Sequence, residues 1–152
     1  MERIFKGRPV MPGNASGKAV KSRQGMNTLA SFQKSVLAKK KTVICSDQNN
    51  PDLYGKELTG KVICLPKTIG STTGGMILQT VAEMGLGPLA LLFSEPIDSL
   101  AAAGVILAAV WNERKVVTVD GLGEEFLSFV QDGMSIDISE DGTIRISDTS
   151  HL

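Results

Sequence analysis

The residues best suited to chemistry form one segment that is rich in glycine and hydroxyl groups. It spans residues 67–75 (KTIGSTTGG) and lies between an apolar run and an amphipathic stretch. Glycines let the backbone approach a ligand closely, and the free N–H groups at a helix start favour an anion. The hydroxyls of Ser71, Thr72 and Thr73 could hydrogen-bond a carboxylate or phosphate, or one of them could act on a substrate proton. No Gly-Lys-[Ser/Thr] sequence ends the segment, so it is not a Walker A loop.

The same pattern also has a purely structural interpretation, in which a Ser or Thr caps the helix and the glycines turn the chain. A serine acts as a base only in surroundings of positive potential, which helix N–H groups and Lys67 could supply. No histidine is nearby, because the single one, His151, is the penultimate residue, and a Ser-His-Asp hydrolase is therefore disfavoured. Either the segment only binds an anion, or the missing groups come from another chain.

The cysteines give no sign of a metal centre. Cys45 and Cys64 belong to no CxxC pair and cannot by themselves hold an iron–sulfur cluster or a structural zinc. Each lies in an apolar, β-like run, where a buried thiol behaves as a small hydrophobic group. We therefore expect no cofactor or metal to be bound by this chain.

A second polar stretch contains Asp47, Asn49 and Asn50, just before Pro51. These side chains could line a cleft, but Asx residues at this density also favour a turn on chemistry alone. Both interpretations stay open for Asn50.

Composition limits the class of protein. A chain of 152 residues with 42% hydrophobic residues can bury one good core, so we expect a single domain over residues 1–152. The 16 basic and 16 acidic residues cancel, which argues against nucleic acid or an anionic membrane as a partner. The N-terminus has no apolar leader, and no apolar stretch is long enough to span a bilayer. A cytoplasmic protein is expected.

Hydrophobic patterning predicts a mixed α/β fold with a central β–loop–α–β unit over 61–93. Glycines and prolines indicate β-structure with a turn at the start, and residues 26–38 could form a short helix or an irregular segment. The predicted strands span 41–45, 61–66, 88–93, 105–110 and 115–119, with a final hairpin of 135–138 and 143–146. The predicted helices span 76–84, with Met76 and Met84 in the core, 98–103 with a stop at Gly104, and 124–130.

Several segments together resemble one known family. They share an order and spacing with the small subunit of aconitase X, over roughly residues 7 to 120. The matching segments are 13–19 (GNASGKA), 47–62 (DQNNPDLYGKELTGKV), 65–66 (LP), 70–75 (GSTTGG), 87–91 (GPLAL) and 103–106 (AGVI).

The resemblance implies a swivelling β/β/α domain and a large partner subunit that holds an iron–sulfur cluster. It also implies a dehydratase that removes water from a small hydroxy-carboxylate substrate, such as cis-3-hydroxy-L-proline or mevalonate 5-phosphate. By the same resemblance, Ser71 is the candidate catalytic base. The candidate substrate-binding residues are Gly70, Thr72, Thr73, Gly74 and Asn50. The alternative is a non-catalytic anion-binding or regulatory module with the same fold.

Three departures from the family pattern leave the substrate open. Ile69 stands where the family often has a basic residue, and Asn50 stands where it commonly has histidine. Residues 31–35 (SFQKS) replace a Ser-Phe-Trp-Gly-Gly-like stretch.

Overall fold

A computed structural model describes residues 2–70, 74–111 and 115–148. Within these ranges the chain forms ten strands and four helices. In chain order they are β1 (Glu2–Lys6), β2 (Arg8–Met11), β3 (Ala15–Lys21), β4 (Met26–Asn27), α1 (Thr28–Leu37), β5 (Val62–Leu65), β6 (Thr68–Ile69), α2 (Gly74–Glu83), β7 (Ala90–Phe93), α3 (Ser99–Trp111), β8 (Val117–Asp120), α4 (Glu124–Phe129), β9 (Ser135–Ile138) and β10 (Thr143–Ser147).

Eight of the strands form one mixed sheet in the order β1-β10-β9-β3-β5-β7-β8-β2. Strands β3, β5, β7 and β8 run parallel to one another, and the remaining pairs are antiparallel. The outer strands β1 and β2 are separated only by Gly7, so the sheet curls back toward itself. The Gly7 N–H donates to the carbonyl of Gly142 at 3.0 Å and fastens this closure to the β9–β10 hairpin.

Two hydrophobic cores lie on opposite faces of the sheet. On β5, Val62 and Cys64 belong to the core inside the curled sheet, whereas Ile63 and Leu65 belong to the core beneath the helices. Successive strand residues point to opposite faces, which is why a fully apolar strand serves both cores. This arrangement confirms the predicted buried strand at 61–66.

Helices α1, α2 and α3 form a layer on the outer face, with α2 packed against both neighbours. Helix α2 confirms the prediction for 76–84, and Gly85 ends it with φ +74°. Its buried face is Leu78, Val81 and Ala82. Met76 is 66% exposed and Met84 is 43% exposed, so the prediction that these two methionines fill the core is wrong. Among the described residues, no helix combines the length and apolarity needed to cross a membrane.

Two strand predictions are wrong. Residues 105–110 are helical, because α3 continues through Gly104. Its strongly apolar, alanine-rich sequence has no single hydrophobic face, so periodicity could not separate a buried helix from a strand. Residues 41–45 form only an isolated bridge between Ile44 and Glu57. There the Val43 N–H donates to the Thr59 hydroxyl at 2.8 Å, and this side chain takes the place of a strand partner.

Candidate active site

The parallel strands β3, β5, β7 and β8 all end at one edge of the sheet, and the segments that follow them meet there. The Ser22 N–H, just after β3, donates to the Cys64 carbonyl at 2.8 Å. The Ser94 N–H, just after β7, donates to the Leu65 carbonyl at 3.0 Å. In open α/β sheets this carboxyl edge is where ligands bind. The glycine-rich segment, which follows β5, leaves from the same edge.

The residues just before the glycine-rich loop (residues 70–75) belong to a second, two-stranded sheet, in which β6 pairs with β4. Gly70 follows β6 with φ +114°, a backbone conformation that L side chains rarely adopt. A Cβ on Gly70 would lie 3.0 Å from Asn27 Nδ2. Asn27 also caps α1, because its Oδ1 accepts the Ala30 N–H at 3.0 Å. The start of the loop is therefore packed against the start of α1.

The centre of the loop lies outside the described residues. This applies to Ser71, Thr72 and Thr73, so only the two ends of the predicted site are placed. Gly70 is at one end, and Gly74 is the first residue of α2 at the other. The N-terminus of a ten-residue helix therefore directly follows the three hydroxyl residues, as the anion-site interpretation requires.

Asp98 links the loop approach to the third helix. The Thr68 hydroxyl donates to Asp98 Oδ1, and Asp98 Oδ2 accepts the Ala101 N–H at 3.0 Å. One carboxylate thus fixes both the strand before the loop and the first turn of α3. Sequence reasoning missed this residue, although an Asp just before an alanine-rich run is a helix-cap signal. The same holds for Asn27, which stands directly before α1.

Asn50 is fully buried beside the same edge. Its Nδ2 donates to the Ser22 hydroxyl at 3.0 Å, and its Oδ1 accepts the Leu53 N–H at 3.2 Å. Both ends of the amide are therefore used to hold the turn. The substrate-binding role of Asn50 stays a prediction.

Two arginines at this edge are neutralised by carboxylates. Arg8 holds Asp120 with two hydrogen bonds, Nε to Oδ1 at 2.9 Å and Nη2 to Oδ2 at 2.6 Å. Burial by itself would raise the pKa of Asp120, but the bonds from Arg8 and from the Ile97 N–H lower that pKa below its usual value. Arg23 likewise binds Asp52, with Nη2 2.9 Å from Oδ1, and lowers its pKa.

Lys67 differs from these arginines. It is exposed immediately before β6, and it forms no ion pair with any carboxylate in the part of the chain that the structure describes. A Cβ placed on Gly25 would lie 3.4 Å from Lys67 Cγ and 2.6 Å from Ile69 Cγ2, so these two side chains flank Gly25 together. Lys67 is therefore a cation beside the loop that remains available to an anionic ligand.

The described residues do not suit an iron–sulfur cluster or a metal ion. No three His, Cys, Asp or Glu side chains come together in residues 2–70, 74–111 and 115–148. Cys45 lies in the core beneath the helices and Cys64 in the core of the curled sheet, on opposite faces. Burial also raises the pKa of the Cys64 thiol, which disfavours the thiolate that a metal ligand requires.

Solved structures share this fold. The chain aligns with aconitase X from Thermococcus kodakaraensis, in its holo-form, with a TM-score of 0.80 and 23% identity, over 95% of this chain and 98% of that one. It also aligns with the solution NMR structure of a UPF0107 protein, with a TM-score of 0.75 and 20% identity, over 95% and 99% of the two chains. The predicted swivelling α/β class, with its central β–loop–α–β unit and C-terminal hairpin, is confirmed.

Curated relatives are named as enzyme subunits. The chain is 31% identical to the phosphomevalonate dehydratase small subunit of Pyrococcus furiosus, over 70% of this chain and 73% of the relative. It is 28% identical to the subunit of the same name from Aeropyrum pernix, over 93% and 92%. These names agree with the expected class, a subunit of a dehydratase.

The family comparison covers nearly the whole described chain. The model of the aconitase X swivel domain matches residues 4–146, from β1 through β10. That range includes the loop, the two small strands that hold it and the C-terminal hairpin. The chain therefore belongs to the aconitase X swivel domain family.

Proposed function

We propose that this chain is the small subunit of a two-chain dehydratase that removes water from phosphomevalonate, and that Ser71 is its catalytic base. The observation that carries the proposal is the 28% identity, along 93% of the chain, with a phosphomevalonate dehydratase small subunit. The position of the loop at the carboxyl edge of the parallel strands supports it. In this proposal a large subunit supplies the remaining groups of the active site.

The charge distribution at the edge suits this substrate. Phosphomevalonate carries a phosphate and a carboxylate, so its site needs cations and N–H donors. Arg8 and Arg23 are committed to Asp120 and Asp52, whereas Lys67 is free of carboxylates in the described residues. Lys67 and the N–H groups at the start of α2 would together bind one of the two anionic groups.

Dehydration of a β-hydroxy acid breaks a C–H bond beside the carboxylate and the C–O bond of the neighbouring carbon. In this proposal Ser71 accepts the proton from the first bond, the electron pair of that bond forms the C=C double bond, and the hydroxyl group leaves toward groups that the large subunit would supply. Thr72, Thr73 and Gly74 orient the carboxylate, so that the C–H bond faces the Ser71 oxygen. The positive end of α2 lowers the cost of a negatively charged Ser71 oxygen. Gly70 keeps this region free of a side chain.

An iron–sulfur cluster, which the family resemblance implies, would belong to the large subunit. The described residues of this chain offer no ligand set for it. The contribution of this chain is therefore limited to binding, orientation and proton removal.

The test is to produce the chain together with its large subunit and to follow loss of water from phosphomevalonate. We expect the pair to be active, each chain alone to be inactive, and cis-3-hydroxy-L-proline to be a poor substrate. Ser71→Ala should lower kcat by about 10²-fold or more, because removal of a positioned base costs that much. KM should change little, since the anion-binding groups remain.

Ser128→Ala is the matched control, because Ser128 is an exposed serine on α4, outside the loop. Its kcat should equal that of the wild type. If the pair assembles but Ser71→Ala keeps full turnover, the catalytic role of Ser71 is wrong. If no complex forms and no water is lost, the alternative of a non-catalytic anion-binding module is favoured.

A further inference from the structure

A second concavity lies away from the loop, between the end of α1 and the segment that follows it. It has a volume of about 650 Å³, which is in the range of small-molecule sites. Its lining includes Lys34, Lys40, Lys41, Ile44, Gln48 and Tyr54. We name it the lysine cavity.

The lysine cavity is strongly cationic. No Asp or Glu belongs to its lining. Lys34, Lys40 and Lys41 form no ion pair with any carboxylate in the described part of the chain. Three like charges around one concavity repel one another, and a bound anion would remove that repulsion.

The backbone is strained where it brings these lysines together. Lys39 has φ +54° and is the only non-glycine residue with positive φ among the residues that the structure describes. Its N–H donates to the Val36 carbonyl at 3.1 Å, and the Lys40 N–H donates to the Ser35 carbonyl at 3.0 Å. Glycine is the usual residue at this position after a helix. Lys40 and Lys41, which follow this turn, line the cavity together with Lys34 of the helix. Strained backbone of this kind concentrates at ligand sites.

The same turn also provides hydrogen-bond donors to carbonyl groups at the C-terminus of α1, which would otherwise repel an anion. The last carbonyls of a helix normally present negative partial charge. Here the Lys34, Ser35 and Val36 carbonyls all accept backbone N–H groups. These three carbonyls therefore do not oppose a bound anion as free acceptors.

Two large side chains give part of the remaining wall an apolar surface. Tyr54 is 50% exposed and Ile44 is 42% exposed, and both line the cavity. A ligand with a planar or apolar body could cover both of these side chains while its anionic group meets the lysines.

The lysine cavity is separate from the proposed active site. Helix α1 has ten residues and is about 15 Å long. The N-cap residue Asn27 lies beside Gly70, whereas the cavity is at the last turn of the helix. We propose that the lysine cavity binds a second small molecule, an organic anion with a planar or apolar body, at the same time as the substrate occupies the loop.

The experiment uses the full chain, alone and in complex with its large subunit, titrated with ADP and with inorganic phosphate by calorimetry. Both probes should bind at one site, and ADP should bind about tenfold tighter because it also covers Tyr54 and Ile44. The double variant Lys40→Met/Lys41→Met should weaken both probes by about tenfold or more. Tyr54→Ala should weaken ADP alone.

Lys39→Gly is a control, because it removes a neighbouring positive charge that does not line the cavity and also relieves the strained backbone. It should leave binding of both probes unchanged. The proposal is overturned if neither probe saturates a site, if Lys39→Gly weakens binding as much as the double variant does, or if the complex with the large subunit no longer binds ADP.

Discussion

Asp120 shows how a buried carboxylate stays charged beside the candidate active site. Its side chain is only 2% exposed, but Arg8 and the Ile97 N–H bind both of its oxygens. These partners outweigh burial and lower the pKa of Asp120 below 3.8. A lowered pKa in the folded state adds stability above pH 3.8, and that stability is lost as the pH falls toward the folded value.

Asp120→Asn tests this interaction. At pH 7 the variant should be less stable than the wild type by about 1–3 kcal/mol, because a charged hydrogen-bond acceptor is lost in a buried position. Below pH 3.8 the difference should shrink, because the carboxylate becomes protonated first in the unfolded state and then, as the pH approaches the lowered pKa, in the folded state. Urea unfolding across this pH range measures both effects. Asp137→Asn, at an exposed position, should change stability by less than about 0.5 kcal/mol; an equally stable Asp120→Asn at pH 7 would contradict the account.

The proposed role of Lys67 in substrate binding can be tested, because its loss should change KM much more than kcat. Lys67→Met should raise the KM for phosphomevalonate by about tenfold, because one charged contact to an anionic group is lost, and should leave most of kcat. Lys67→Arg should restore much of the affinity. Lys61→Met is the matched control, since Lys61 precedes β5 and lies at the opposite edge of the sheet. A KM that is unaltered in Lys67→Met would remove Lys67 from the site.

At the scale of elements, one contact between two glycines lies at the closure of the sheet. Gly142 has φ +88°, and a Cβ there would collide with the Gly7 carbonyl. Gly133 has nearly the same φ, +87°, but a Cβ there would meet nothing within 4 Å. An alanine at Gly133 would therefore suffer only the unfavourable backbone conformation, whereas an alanine at Gly142 would also collide with the Gly7 carbonyl.

Gly133→Ala should cost about 1 kcal/mol of unfolding free energy, from the unfavourable backbone conformation alone. Gly142→Ala should cost more, about 2–4 kcal/mol, because β1 and the β9–β10 hairpin must also move apart. Thermal or denaturant unfolding measures both variants. Equal losses in the two variants would show that the Gly7–Gly142 contact does not hold the sheet closed.

The elements that sequence predicted well are those with a clear period or stop signal. Helix α2 has one apolar stripe and ends at Gly85, and the final hairpin alternates around Gly142. Helix α3 was missed in part because its apolar residues face all directions and Gly104 does not stop it. The 41–45 segment has strand composition, but it forms only one isolated bridge, and two of its N–H groups donate to side-chain hydroxyls rather than to a neighbouring strand. Propensity does not encode such tertiary partners.

The sequence also predicted part of the candidate site, namely the loop, but not the contacts that hold it. The loop was found because glycines and hydroxyls are contiguous in sequence. The contacts of Gly70 with Asn27 and of Thr68 with Asp98 join residues that are distant in the chain, and only the fold brings them together. The structure was likewise needed to show that Arg8 and Arg23 are paired with carboxylates, and that Lys67 has no carboxylate partner among the described residues.

At the scale of the whole molecule, the proposed function makes this chain one part of an active site shared with a large subunit. The chain has a loop at the carboxyl edge of its parallel strands, an available lysine and the start of a helix, but no cluster of metal ligands in the residues that are described. That combination agrees with a subunit that positions substrate and removes a proton beside a larger partner. The single domain over 1–152 stays a prediction, and one cooperative thermal transition of the full chain is expected for it.

Exchange of a substrate hydrogen with solvent tests the central claim most directly. The assembled two-chain enzyme is incubated with phosphomevalonate in D₂O, and deuterium at the carbon beside the carboxylate is followed by NMR. The wild type should introduce deuterium at that carbon, because its base removes and returns the proton. Ser71→Ala should show no exchange above the background without enzyme, while still binding the large subunit. Exchange in Ser71→Ala at the wild-type rate would contradict the assignment of Ser71 as the base.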